Sequence, residues 1–169
     1  MALARRSREG VGRAGWLPAR VPGCVLDDLV RAGEVPSPYY ERDSRLSERV
    51  AQRAWVYRRR FVAAQGNERI RFDVVDHSCT VFVDGEKRAR HESTYRPLEV
   101  DVSDFIDGDE HLLAVVVDLA PGSEPQVGDT ARVRVHKSRM GYVWDFRPRI
   151  VNQGIWRSVT RVEGWNARA

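Results

Sequence analysis

At 169 residues the chain is the size of one domain, and a chain of that length buries about 70% of its unfolded surface, enough for a proper core. Its net charge of +4 and pI near 9.4 come mostly from arginine, yet the arginines alternate with apolar residues, as in Arg69 and Arg71 against Ile70 and Phe72. That is the pattern of solvent-facing strand positions, so we expect no nucleic-acid partner. No apolar run approaches the roughly 20 residues of a membrane helix, so no membrane partner is expected either.

Residues 1–14 carry basic residues with no apolar segment behind them, which reads as a disordered tail and not as a secretory signal. A cytoplasmic location is the resulting expectation, with residues 15–169 forming one domain. Cys24 and Cys79 have no CxxC partner, so two buried free thiols are expected rather than a zinc site or a disulfide framework.

From Cys24 to Ala32, the apolar positions Val25, Leu26, Leu29 and Val30 have helical spacing, and Gly33 is placed to stop the helix. Tyr39 and Tyr40 follow two prolines, as ligand contacts or, in preference, packed on a sheet edge. A second short helix is predicted over Leu46 to Gln52. The period then changes to two. Trp55, Tyr57, Arg59 and Phe61 share one strand face, and Ile70, Phe72 and Val74 share another. Val81 and Val83 lead into Asp84-Gly85, a strong hairpin signal. Leu98, Val100 and Val102 alternate again, and Ser103 or Asp104 can cap a helical turn holding Phe105 and Ile106. His111 to Leu119 contains LLAVVV, the run of a strand buried on both faces or central in its sheet. Another strand is predicted from Val133 and Val135, and the last around Trp156, Val159 or Val162. Seven or more short strands with turn signals between them predict an all-β sandwich with one or two peripheral helices.

One stretch does not fit this scheme. From Arg139 to Arg157, RMGYVWDFRPRIVNQGIWR has neither a helical nor a two-residue period, and reads as a long ordered loop entering a strand near Ile155. It sets Tyr142, Trp144, Phe146 and Trp156 around one carboxylate, Asp145. Aromatic rings can stack on the C–H faces of a pyranose while charged groups bond its hydroxyls. The alternative is that Trp144 and Trp156 are core plugs and that Asp145 merely pairs with Arg147 or Arg149.

Trp144, Asp145, Pro148, Arg149, Gly154, Ile155, Trp156 and Arg157 resemble the loop near the end of the N-terminal sugar-binding domain of family 2 glycoside hydrolases, above all the β-mannosidases. Phe146 and Arg147 depart from that pattern, standing where the family has tryptophan and glycine. Gly15 to Tyr40 and Trp55 to Phe61 resemble the family's opening segment and first long strand. The resemblance implies a jelly-roll sandwich of the galactose-binding type. It also implies a non-catalytic carbohydrate-binding accessory domain that offers a Trp-Asp loop to the active site of a separate (β/α)8 barrel. Asp145 would bond sugar hydroxyls, Trp144 would wall the subsite, Arg149 would orient Asp145, and Trp156 would join them in substrate binding. The implied partners are a β-mannoside or related glycoside and the barrel, with no cofactor.

Catalytic residues are not expected in this chain. The family's acid/base is a glutamate preceded by asparagine, on the barrel, and the match in this chain is Asn67-Glu68, which is predicted to lie in a solvated hairpin turn. Asp76, His77 and Ser78 are adjacent along a strand, where alternate side chains point to opposite faces and cannot converge as a triad. Asp107, Asp109 and Glu110 could offer oxygens to calcium, but a turn with solvated acids is preferred, and the four histidines lack metal spacing, so no metal site is expected. Two other readings remain open: an autonomous carbohydrate-binding module, and a structural or protein-interaction sandwich.

Overall fold

The computed structural model of the chain describes residues 1–5, 15–63, 68–105, 108–122, 135–142 and 148–163. Among them, strands β1 (Ala2–Arg5), β2 (Leu17–Pro18), β3 (Trp55–Val62), β4 (Glu68–Phe72), β5 (Ser78–Val83), β6 (Glu86–Glu92), β7 (Leu98–Asp101), β8 (Glu110–Val117) and β9 (Val159–Glu163) accompany helices α1 (Val25–Arg31) and α2 (Ser44–Ala51). The strands form an antiparallel six-stranded sheet, β2-β1-β3-β8-β5-β6, and an antiparallel three-stranded sheet, β7-β4-β9.

Alternation builds the space between the sheets. Tyr57, Val81, Val83, Val115 and Val117 from the larger sheet join Ile70, Phe72, Leu98 and Val100 from the smaller one in a single buried cluster. The fold is therefore a β-sandwich, with β8 central because its valines are buried between β3 and β5. The opposite face of the smaller sheet carries the charge. There Arg69 and Arg71 both reach Glu99 on β7, whereas Glu68 shares the face of Ile70 and Phe72 and pairs with Arg161 on β9.

Local signals account for the ends of elements. In α1, the Glu34 N–H bonds Leu29 O at 2.9 Å and the Gly33 N–H bonds Val30 O at 3.0 Å. This is the Schellman arrangement, and Gly33 supplies its left-handed residue with φ at 75°. At the hairpin, Asp84 and Gly85 have φ of 51° and 86°, the two left-handed positions of a type I′ turn. Asp84 also accepts from the Leu112 N–H at 2.8 Å and lies 2.7 Å from His111 Nδ1. Those contacts hold its carboxyl below the usual range, the Leu112 amide first and His111 second.

Several expectations are corrected. Ala2–Arg5, placed in a disordered tail, pairs with β3 in the register Ala2 to Arg58 through Arg5 to Trp55. The turn after β7 is capped by Asp101, whose Oδ1 accepts from the Ser103 N–H and Oγ, and not by Ser103 or Asp104. Glu68 is not in a solvated turn: it opens β4 with its side chain 8% exposed, paired with Arg161. Tyr39 and Tyr40 are not packed on a sheet edge but are 76% and 66% exposed. Cys79 is buried as expected, whereas Cys24 is only partly so. Val135 is not in a strand, and Val133, Ile106 and Asp107 lie outside the described residues.

Candidate functional site

The aromatic loop is anchored at both ends by backbone contacts that need glycine. Ile150 N–H bonds Gly141 O at 2.9 Å, and a Cβ on Gly141 would lie 2.5 Å from Ile150 O. Farther on, Gly154 bridges Asp76 through two backbone hydrogen bonds, while its neighbours Gln153 and Ile155 accept from the Val25 and Gly23 amides. Gly154 has φ of 142°, and a Cβ there would sit 2.9 Å from both Cys24 Cα and the Tyr57 hydroxyl. The returning limb of the loop thus threads between the start of α1 and the approach to β5.

Side chains complete the anchorage. Lys137 Nζ donates to Asp76 Oδ1 and to Asn152 O, both at 2.6 Å, and Thr94 Oγ1 donates to the same Asp76 oxygen at 3.0 Å. The buried amide of Gln153 donates to Arg53 O and Asp118 O. Tyr142 is buried with its hydroxyl on Pro121 O, and Arg149 lies over the Tyr142 ring while donating to Gly122 O. Ile155 fills the core.

Four residues carry the substrate-binding expectation. Trp144 and Asp145 lie outside the described residues. Arg149 stands at the start of the described returning limb, with the contacts just given. Trp156 is not a core plug, because the residue is 45% exposed and lines a cleft of about 400 Å³. Tyr95, Asp76, Thr94, Ser138 and Asn152 line the same cleft. Sequence reasoning singled out Asp76 only as a rejected triad fragment, and it passed over Lys137 and Tyr95. Indeed Asp76 and Ser78 have separate partners, since Ser78 Oγ donates to Asp118.

Burial and charge set the titrating groups beneath the cleft. His77 is pushed below its ordinary pKa, first by burial and then by the Lys137 charge. Burial raises the Cys24 thiol to about 12, with the Asp27 charge adding to it, and carries the Tyr57 hydroxyl well above its usual range. These groups are held neutral, which suits a floor of packing and hydrogen bonds and not a nucleophile. Among the described residues, no three His, Cys, Asp or Glu side chains gather as a metal site would require, and Glu110 is engaged by Arg60 at 2.6 Å.

Residues 4–157 match the family profile described as glycosyl hydrolase 2 galactose-binding domain-like. The chain is 28% identical over 182 residues to β-mannosidase B of Aspergillus niger, a match that spans 96% of this chain and 21% of that protein. It is 30% identical over 175 residues to β-mannosidase B of Aspergillus terreus, covering 90% of this chain and 20% of that one. Among solved structures, the β-D-mannosidase of Dictyoglomus thermophilum superposes with a TM-score of 0.81 at 26% identity, covering 98% of this chain and 22% of the other. The exo-chitosanase of Amycolatopsis orientalis, 20% identical over 94% of this chain and 18% of its own, shares the fold with a TM-score of 0.69. The chain spans about a fifth of the length of the curated relatives it matches.

Proposed function

Since the chain belongs to the galactose-binding-like domain family of glycosyl hydrolase 2, we propose that it is the non-catalytic carbohydrate-binding domain of a β-mannosidase-like hydrolase. In this reading it supplies a Trp-Asp loop to the active site of a separate (β/α)8 barrel. The observation that carries it is one of proportion: the match runs along 96% of this chain but over only 21% of the β-mannosidase it resembles. A domain that is a fifth of an enzyme leaves the acid/base pair and the barrel to the remainder.

Asp145 is the working residue of this proposal, as an acceptor for hydroxyls of the bound sugar, and Trp144 walls the subsite. Arg149, with one nitrogen on Gly122 O, holds Asp145 as an ionised acceptor with its remaining donors. Hydrogen bonds of this kind accelerate the reaction when they strengthen as the ring distorts toward the transition state. The anchorage at Gly141, Gly154 and Lys137 gives the loop a fixed base, which such positioning requires.

The test is Asp145→Ala in the long hydrolase that carries this domain. The expected result is a fall in kcat/KM of about 100-fold or more with little change in thermal midpoint. A variant that loses activity only in proportion to its loss of folded protein would refute the role.

A further inference from the structure

We propose that the cleft between Tyr95 and Trp156 is a carbohydrate site in its own right, built to take one neutral pyranose. It rests on the carbohydrate reading of the domain but not on the loop's role in catalysis.

The rings give the first argument. Trp156 follows Ile155, which is wholly buried, yet is itself 45% exposed, and Tyr95 is 65% exposed. Neither ring is spent on the core. The Arg157 guanidinium lies 5.6 Å from the Trp156 centroid and takes one face of the indole, which leaves the other for the cleft. An exposed indole beside a concave surface is the apolar platform on which the C–H face of a sugar ring rests.

The polar groups give the second. Asp76 is nine-tenths buried, and both of its side-chain hydrogen bonds, from Lys137 and Thr94, land on Oδ1. That leaves Oδ2 as the oxygen available to a ligand, held in place by a fixed partner arrangement. Asn152 and Ser138, both exposed, line the cleft with it. A buried, oriented carboxylate oxygen accepts from hydroxyl groups without having to be reorganised on binding.

Charge selects among sugars. Among the described residues, the carboxylates in the lining are Asp27 and Asp76, and Lys137 beside the cleft is engaged with Asp76 and Asn152 O. A uronate would add a third negative charge to a cleft that already holds these two carboxylates, whereas a neutral pyranose would not. The volume of about 400 Å³ is at the small end of ligand sites, the size for one ring and its waters.

The experiment is a two-dimensional NMR titration of the 169-residue chain with methyl β-D-mannopyranoside and with glucuronate. Saturable shifts are expected for the Trp156 indole and the Tyr95 and Asn152 amides, with a millimolar Kd for the mannoside and binding at least fivefold weaker for glucuronate. Trp156→Ala, at an exposed position, should weaken the mannoside at least tenfold while amide dispersion is retained, and Tyr95→Ala should weaken it severalfold. No shifts from the folded chain at 50 mM sugar, shifts confined to other residues, or unchanged affinity in Trp156→Ala would each overturn the proposal. None of those outcomes touches the role of Asp145, which is read from activity in the long hydrolase.

Discussion

Lys137 reaches Asp76 from 61 positions away in sequence, its Nζ 2.6 Å from Oδ1, with side-chain exposures of 2% and 9%. Two charges so deeply removed from water are tolerable only because each has further partners: Thr94 Oγ1 on the carboxylate and Asn152 O on the ammonium. The pair joins the approach to β5 to both limbs of the aromatic loop. It fixes the base of that loop and one wall of the cleft in a single arrangement.

Breaking the pair from one side should therefore be costly. Lys137→Met leaves Asp76 buried and uncompensated, with an expected loss of about 3–5 kcal/mol in urea unfolding. The double variant Lys137→Met with Asp76→Asn should lose clearly less than the sum of the two single losses, because it removes both charges. Additive losses would mean that the two groups are not coupled.

Two glycines separate backbone strain from crowding. Gly33 and Gly154 both have positive φ, 75° and 142°, but a Cβ on Gly33 meets nothing within 4 Å, while one on Gly154 meets Cys24 Cα and the Tyr57 hydroxyl at 2.9 Å. Gly33→Ala should cost about 1 kcal/mol, for the left-handed conformation alone. Gly154→Ala must also push the loop off α1, so a cost of about 3 kcal/mol or more is expected. Equal losses at the two sites would show that the crowding at Gly154 is relieved by movement.

The elements with local causes were legible in the sequence. Val25, Leu26 and Leu29 gave α1 by spacing, Gly33 ended it, and Asp84-Gly85 marked the hairpin, because each of these signals acts within a few residues of itself. The site was legible only in part, for a physical reason. Trp156 declares itself as an aromatic in an aperiodic stretch, but Asp76, Lys137 and Tyr95 matter because the fold brings three distant segments together. No spacing records that meeting. Ala2–Arg5 misled for a similar reason: four residues without a strong pattern become a strand when an open edge of β3 is there to pair with. Glu68 looked solvated because its neighbour Asn67 suggested a turn, and its real environment is set by Arg161, 93 positions away.

The Asp84 carboxyl should register in the acid limb of stability. Its folded pKa lies below the ordinary 3.8, so its contribution is present above the unfolded-state pKa and is lost as pH falls through the folded value. Asp84→Asn keeps a residue suited to the left-handed turn position but loses the ionised acceptor for Leu112 and His111. The variant should be less stable than the parent at pH 6, and the gap should close as pH falls below about 4. A gap that stays constant from pH 6 to pH 2 would show that the effect is one of turn geometry and not of charge.

The two thiols offer a test of the sandwich itself. Burial raises both Cys24 and Cys79 to about 12, so at pH 8 each is a thiol and not the thiolate that attacks an alkylating agent. Cys79 is wholly inaccessible between the sheets, while Cys24 is only partly buried at the start of α1. In the folded chain, iodoacetamide at pH 8 should therefore modify Cys24 slowly and Cys79 not at all on the same timescale. In urea both should react at the rate of an ordinary cysteine. Raising the pH to 10 should speed native Cys24 roughly in proportion to its thiolate fraction and leave Cys79 unchanged, because no reagent reaches it without unfolding. Rapid native labelling of Cys79, followed by mass spectrometry of its peptide, would mean that the two sheets part far more readily than the continuous core of Tyr57, Phe72, Val81 and Val115 allows.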